Sequence, residues 1–120
     1  MPSLGMPRET HENALKRCQE LSSNARLFQP QNLWMNSLVY QWTKQISEDY
    51  YYWIGINDSN EEGKWVFDQS GEEVTYTNWY SDQPNGGTSE NCASVESFSG
   101  LWFDVSCNGE DNYICEIPLL

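Results

Sequence analysis

Four cysteines, Cys18, Cys92, Cys107 and Cys115, constrain this chain more than any other residues it carries. None belongs to a C-x-x-C pair, and the single histidine, His11, lies in a polar helical stretch. That is a poor ligand set for structural zinc. Two disulfides in an oxidising compartment fit better. Four cysteines allow three pairings, and sequence alone does not choose among them. In the nested pairing, Cys92–Cys107 closes a loop of about 15 residues, worth about 3 kcal/mol in the chain-entropy model. Cys18–Cys115 would close nearly the whole chain, worth about 4.7 kcal/mol on the same basis. The N-terminus, MPSLGMPRETHEN, shows no charged region followed by an apolar core, so no secretory leader is visible. Beside the disulfides, that implies a leader already removed or a chain that is part of a longer one. The expected location is secreted or extracellular.

With 120 residues the chain has the size of one domain. Its 38% hydrophobic and 14% aromatic content separates it from a disordered acidic tail. A formal net charge of −12 would repel a nucleic-acid duplex or an anionic membrane surface. No apolar run is long enough to span a bilayer. Nucleic acid and membrane insertion are therefore not expected; cations and basic proteins are. The plain alternative is that the acids confer solubility.

The order of elements reads as α+β. Residues 1–9 read as a loose lead-in, and residues 10–120 as the domain. Thr10 can cap a helix over 11–21, with Glu12 favourable in its first turn. Ala14, Cys18 and Leu21 would share its inner face. A short strand follows at 25–28, ended by Pro30. A second helix spans about 32–46, with Met35, Leu38, Val39, Trp42 and Ile46 as its core face. Residues 50–56 (YYYWIGI) read as a buried strand. Apolar character resumes at Val66 and Phe67. Residues 68–90 are mostly loop, with a possible strand near 74–76. Loops of that length are commonly functional. Short strands are expected at 92–96, 101–105 and 112–116.

Side-chain oxygens crowd the loops. Asp58 and Glu62 lie in one; Gln83, Asn85, Glu90 and Asn91 lie in the stretch DQPNGGTSENC; Asp104 lies just before Cys107. Carboxylates and amides without thiolate or imidazole suit a hard cation such as Ca2+. No EF-hand pattern is present. Taken singly, each acid is also readable as a solvated loop residue.

WIGIND (53–58), EGKW (62–65), NW (78–79), QPN (83–85), ENC (90–92), LWFDVSC (101–107) and YICE (113–116) occur in the order and spacing of C-type lectin-like domains. The resemblance covers about residues 10–117. It implies pairing of Cys18 with Cys115 and of Cys92 with Cys107. The implied fold is two helices flanking small antiparallel sheets, with a long loop region at one end and a cis proline at Pro84. In sugar-binding members, the residues matching Gln83, Asn85, Glu90, Phe103 and Asp104 hold calcium and hydrogen-bond two sugar hydroxyls. Each hydroxyl must donate to a carboxylate and accept from an amide. An auxiliary calcium position maps onto Asp58, Glu62, Gly86, Glu90 and Asn91.

The sequence departs from that family pattern. QPN matches neither the mannose-type EPN nor the galactose-type QPD. Phe103 stands where the WND asparagine belongs, and Gly86 replaces an auxiliary ligand. Only Glu90 and Asp104 remain as carboxylates of the primary set, so weak or absent Ca2+ binding is expected there. Asn57-Asp58-Ser59 is a nominal glycosylation sequon. The family usually has one or two strands before the first helix, and with so short a lead-in an edge strand is expected to be missing.

The reading is thus a carbohydrate-binding C-type lectin-like module, calcium-assisted but with a degraded primary site. Its partner is a glycan or glycoprotein. The alternative is a calcium-independent protein- or matrix-binding domain. Trp79 and Trp102 read as core, and Phe103 as a surface contact. An enzyme is not expected: Glu90 and Asp104 can be drawn as a glycosidase pair, but the ligand reading explains them more simply, and no nucleophile–base pair is visible.

Overall fold

The segment Tyr51–Asn57 sits in the middle of the molecule because both its faces are apolar. The computed structural model describes residues 3–46 and 51–117, with side chains from residue 8 onward except that of Ile46. Tyr50, expected to open this strand, lies outside the described residues. The chain runs β1 (Ser3–Glu9), α1 (His11–Leu21), β2 (Arg26–Leu27), α2 (Leu33–Ile46), β3 (Tyr51–Asn57), β4 (Val66–Phe67), β5 (Cys92–Glu96), β6 (Trp102–Val105) and β7 (Asp111–Glu116), with one 3-10 turn at Gly87–Ser89. The sheet order is β1-β7-β3-β5-β6, with β2 on β7 and β4 on β3. Pairing is antiparallel except between β3 and β7.

Strand alternation divides the interior in two. Tyr52, Ile54 and Ile56 of β3 join Phe28, Val39, Trp65, Val95, Trp102 and Ile114 in one cluster. Trp53, on the opposite face, joins Ala14, Cys18, Leu27, Tyr113 and Cys115 beneath α1. Gly55 lies where β3 passes closest to β2: a Cβ there would stand 2.8 Å from the Leu27 carbonyl oxygen. The disulfides are Cys18–Cys115, which ties α1 to β7, and Cys92–Cys107, which ties β5 to the turn after β6.

The helices begin where the sequence indicates. The Thr10 hydroxyl accepts from the Asn13 N–H at 3.3 Å, and the Asn32 side chain accepts from the Met35 N–H at 2.8 Å, each capping a first turn. Four expectations are corrected. The lead-in is not loose from Ser3 onward, for β1 pairs with β7 in the register Ser3↔Cys115 and Leu4↔Ile114; an edge strand is therefore in place, and residues 1 and 2 lie outside the described residues. Leu21 and Leu38 are exposed rather than core. Asn36 and Thr43 turn inward on α2 instead, beside Val39. No strand forms at 74–76; Val74, Tyr76 and Asn78 alternate half-buried on extended chain held at its ends by isolated bridges, Glu73 to Val66 and Trp79 to Trp102.

That extended chain positions the long loop. The Tyr80 N–H donates to the Trp102 carbonyl, and the Trp102 N–H to the Asn78 carbonyl, each at 2.9 Å. Trp79 and Tyr76 meet the buried Trp102 ring edge-on at 5.6 and 5.7 Å. The loop therefore carries its own aromatic anchor onto β6.

Candidate functional site

β6 presents its residues alternately, with Trp102 and Asp104 buried and Phe103 and Val105 half-buried. Asp104 is 4% exposed, and its carboxylate is fully engaged by backbone donors. The Asn85 N–H reaches its two oxygens at 3.1 and 3.0 Å, and the Gly86 N–H reaches one at 2.7 Å. In return, Gln83 Oε1 accepts from the Asp104 N–H at 3.2 Å. The turn through the cis Gln83–Pro84 bond is thereby laced to β6. The Glu90 side chain folds against Gly86, over the space that a Cβ there would occupy.

These contacts shape a depression of about 330 Å³ lined by Gln83, Asn85, Glu90, Phe103 and Asp104 together with Tyr51, Val105 and Asp111. Burial raises the Glu90 carboxyl above the usual glutamate value, and the charge of Asp104 adds to it. Burial also raises Asp111, opposed by a hydrogen bond from the Ser94 hydroxyl and by the charge of Arg8; the Ser94–Asp111 bond is 2.7 Å. Phe103 packs on two tyrosines, stacked on Tyr80 and edge-on to Tyr51.

Asp58 and Asn91 form a second group beside the first. The Asp58 N–H donates to the Asn91 carbonyl at 3.1 Å. Asp58 is 2% exposed; its Oδ2 accepts from the Gly63 N–H at 3.0 Å. Its Oδ1 and the Oδ1 of Asn91 are buried without a hydrogen-bond partner. Such buried oxygens are costly unless something satisfies them. Glu62 is exposed; partial desolvation raises its carboxyl, and Asp58 and then Asp104 raise it further. Among the described residues, no three Asp, Glu, His or Cys side chains converge closely enough to hold a metal ion as they stand.

The model of the C-type lectin domain matches residues 8–117 of this chain. The chain belongs to the C-type lectin domain family. Members of this family are non-enzymatic modules that bind glycans or proteins. This C-type lectin domain is 33% identical to human tetranectin over 117 residues, covering 93% of the chain but only 56% of tetranectin. It is 31% identical to a perlucin-like protein of Mytilus galloprovincialis over 107 residues, covering 86% of the chain and 67% of that protein. The carbohydrate-recognition domain of the mouse scavenger receptor C-type lectin superposes with a TM-score of 0.85 at 26% identity, covering 99% of this chain and 90% of that one. The chain thus spans about half the length of tetranectin.

The family motifs assign a binding role to five residues that line the depression; Val105 sits in LWFDVSC without one, and Tyr51 and Asp111 lie outside every motif. Tyr51 opens β3 and Asp111 opens β7, and only the sheet brings them together; no spacing in the sequence signals it. His11 also has a place that the sequence does not indicate. Its Nε2 lies 3.0 Å from Asp68 Oδ2. Asp68 Oδ1 accepts from Asn57 Nδ2 at 2.7 Å, so the sequon amide is turned inward. Among the described residues, no helix is long and apolar enough to cross a membrane.

Proposed function

We propose that this domain binds carbohydrate in the depression between the Gln83-Pro84-Asn85 turn and β6, outside the cell or in a secreted protein, with calcium acting at the auxiliary rather than the primary position. The observation that carries the reading is the gathering of Gln83, Asn85, Glu90, Phe103 and Asp104 around one hollow. The depression is of the right order for a sugar-sized ligand. Hydroxyls can donate to Glu90, the Asn85 side chain can accept or donate, and the half-buried Phe103 offers apolar contact to a pyranose.

Calcium fits the two positions unequally. Asp58 Oδ1 and Asn91 Oδ1 are buried oxygens without partners, which is the kind of donor a hard cation satisfies. Asp58, Asn91, Glu62 and Glu90 would hold it, neutralising the Asp58 charge that now raises the Glu62 carboxyl. At the primary position, Asp104 already receives backbone donors, Gln83 Oε1 already accepts, and Phe103 supplies no oxygen. The same engagement favours the second reading, a calcium-independent protein- or matrix-binding surface.

A calcium titration followed by a glycan-binding screen with and without EDTA separates the two. Saturable glycan binding supports the carbohydrate reading, and its loss in EDTA adds calcium to it. Binding of proteins alone, indifferent to chelator, supports the second reading and overturns the first.

A further inference from the structure

The depression beside Asp104 extends past the residues the family motifs nominate, and its lining divides by chemistry. One part is aromatic. The Phe103 ring stacks on Tyr80 at 5.0 Å with the planes 20° apart, and meets Tyr51 at 5.7 Å with the planes 80° apart. The other part is acidic, with Glu90, Asp104 and Asp111 on the same hollow.

Among the described residues, nothing cationic is paired with those three acids. The ion pairs of the described Lys and Arg residues go to Glu9, Glu12, Glu20, Glu61 and Glu116. Arg8 is felt by Asp111 as a nearby charge but makes no ion pair with it.

A neutral sugar hydroxyl needs acceptors and donors side by side, whereas ionised carboxylates only accept. An ammonium group is the complement of such a lining: it carries three donors, no acceptor and a positive charge. Charge-assisted hydrogen bonds to carboxylates are about twice as strong as neutral ones, and aromatic faces attract cations as well.

We propose that this depression takes an organic ammonium group; on the carbohydrate reading above, on which this form of the inference rests, it is the free amine of an amino sugar. The amine meets Glu90 and Asp111, with the charge of the backbone-bound Asp104 beside them, and the apolar side of the pyranose packs on Phe103 and Tyr51. The substitution of phenylalanine for an oxygen ligand at 103 then exchanges a metal contact for a ring that favours a cation. A metal ion placed on the same acids would compete with the amine.

The test is calorimetry with glucosamine, N-acetylglucosamine and glucose at mildly acidic pH, where the amine is charged, in the presence of EDTA. Glucosamine is expected to bind about tenfold more tightly than either neutral sugar, the order expected of one charge-assisted contact. Asp111→Asn and Tyr51→Leu should each weaken glucosamine severalfold. If either variant fails to fold, the ranking of the three sugars by the unaltered protein still decides. Equal affinity for glucosamine and N-acetylglucosamine overturns the inference and leaves the carbohydrate reading standing. Binding of lysine amide acetylated at its α-nitrogen, with no sugar bound, keeps the ammonium site and refutes the carbohydrate reading.

Discussion

Phe103 decides what kind of ligand the hollow can hold. It contributes a ring, packed on Tyr80 and Tyr51, at a position from which an amide oxygen could have faced a cation. Phe103→Asn is expected to tighten calcium binding measured by calorimetry, because calcium affinity follows the number and charge of oxygen ligands. No change would mean that the surrounding oxygens do not form a cage. Asp111 makes a different prediction. Burial lifts its carboxyl above the ordinary aspartate value in the folded protein. Between the unfolded and folded values, the folded state therefore binds more protons, so this group's contribution to stability falls as pH rises through that window. Asp111→Asn removes the contribution. Thermal melts from strongly acid to neutral pH should show the variant gaining stability relative to the parent as pH rises; a constant offset would contradict the assignment.

At the scale of elements, the least expected feature is the face α2 turns inward. Asn36 lies in its first turn, with Oδ1 accepting from the indole N–H of Trp102 at 2.9 Å and Nδ2 donating to the Gly100 carbonyl at 3.1 Å. Asn36→Ala would leave the buried Trp102 indole N–H without its partner, costing about 1–3 kcal/mol, while the Gly100 carbonyl keeps the Asn78 side-chain amide at 2.7 Å. Leu38→Ala, on the solvent side, should stay within about 0.5 kcal/mol of the parent. Urea denaturation of the two variants distinguishes this orientation from the one that apolar spacing suggested. The first helix was legible because Thr10 is a local cap, the second because its apolar residues recur at helical spacing, and β3 because both its faces are apolar. The inward face of α2 was not, because an asparagine is favourable inside only once its partners on Trp102 and Gly100 are known. Strand β1 was missed for a related reason: it is made by pairing with β7, more than a hundred positions away by the register Ser3↔Cys115.

Across the whole molecule, the site exists because distant segments are held at one end of the sheet. Gln83, Asn85, Glu90 and Asp104 were legible through family motifs, whereas Tyr51 and Asp111 enter only through strand order. The two crosslinks should contribute unequally to that assembly. They span 97 and 15 residues, so replacing Cys18 and Cys115 by serine should cost about 4.7 kcal/mol and replacing Cys92 and Cys107 about 3 kcal/mol in the chain-entropy model. Denaturant unfolding of the two double variants checks the order, and the reverse order would contradict it. The central claim, that the hollow beside Asp104 is where ligand binds, is tested most directly by a nitrogen-15 NMR titration with a panel of monosaccharides that includes glucosamine. The account predicts saturable shifts concentrated at the backbone amides of Gln83, Asn85, Gly86, Glu90 and Asp104. Shifts confined to another surface, such as the groove along Thr10, His11 and Asn108, or no shifts with any sugar, would contradict it.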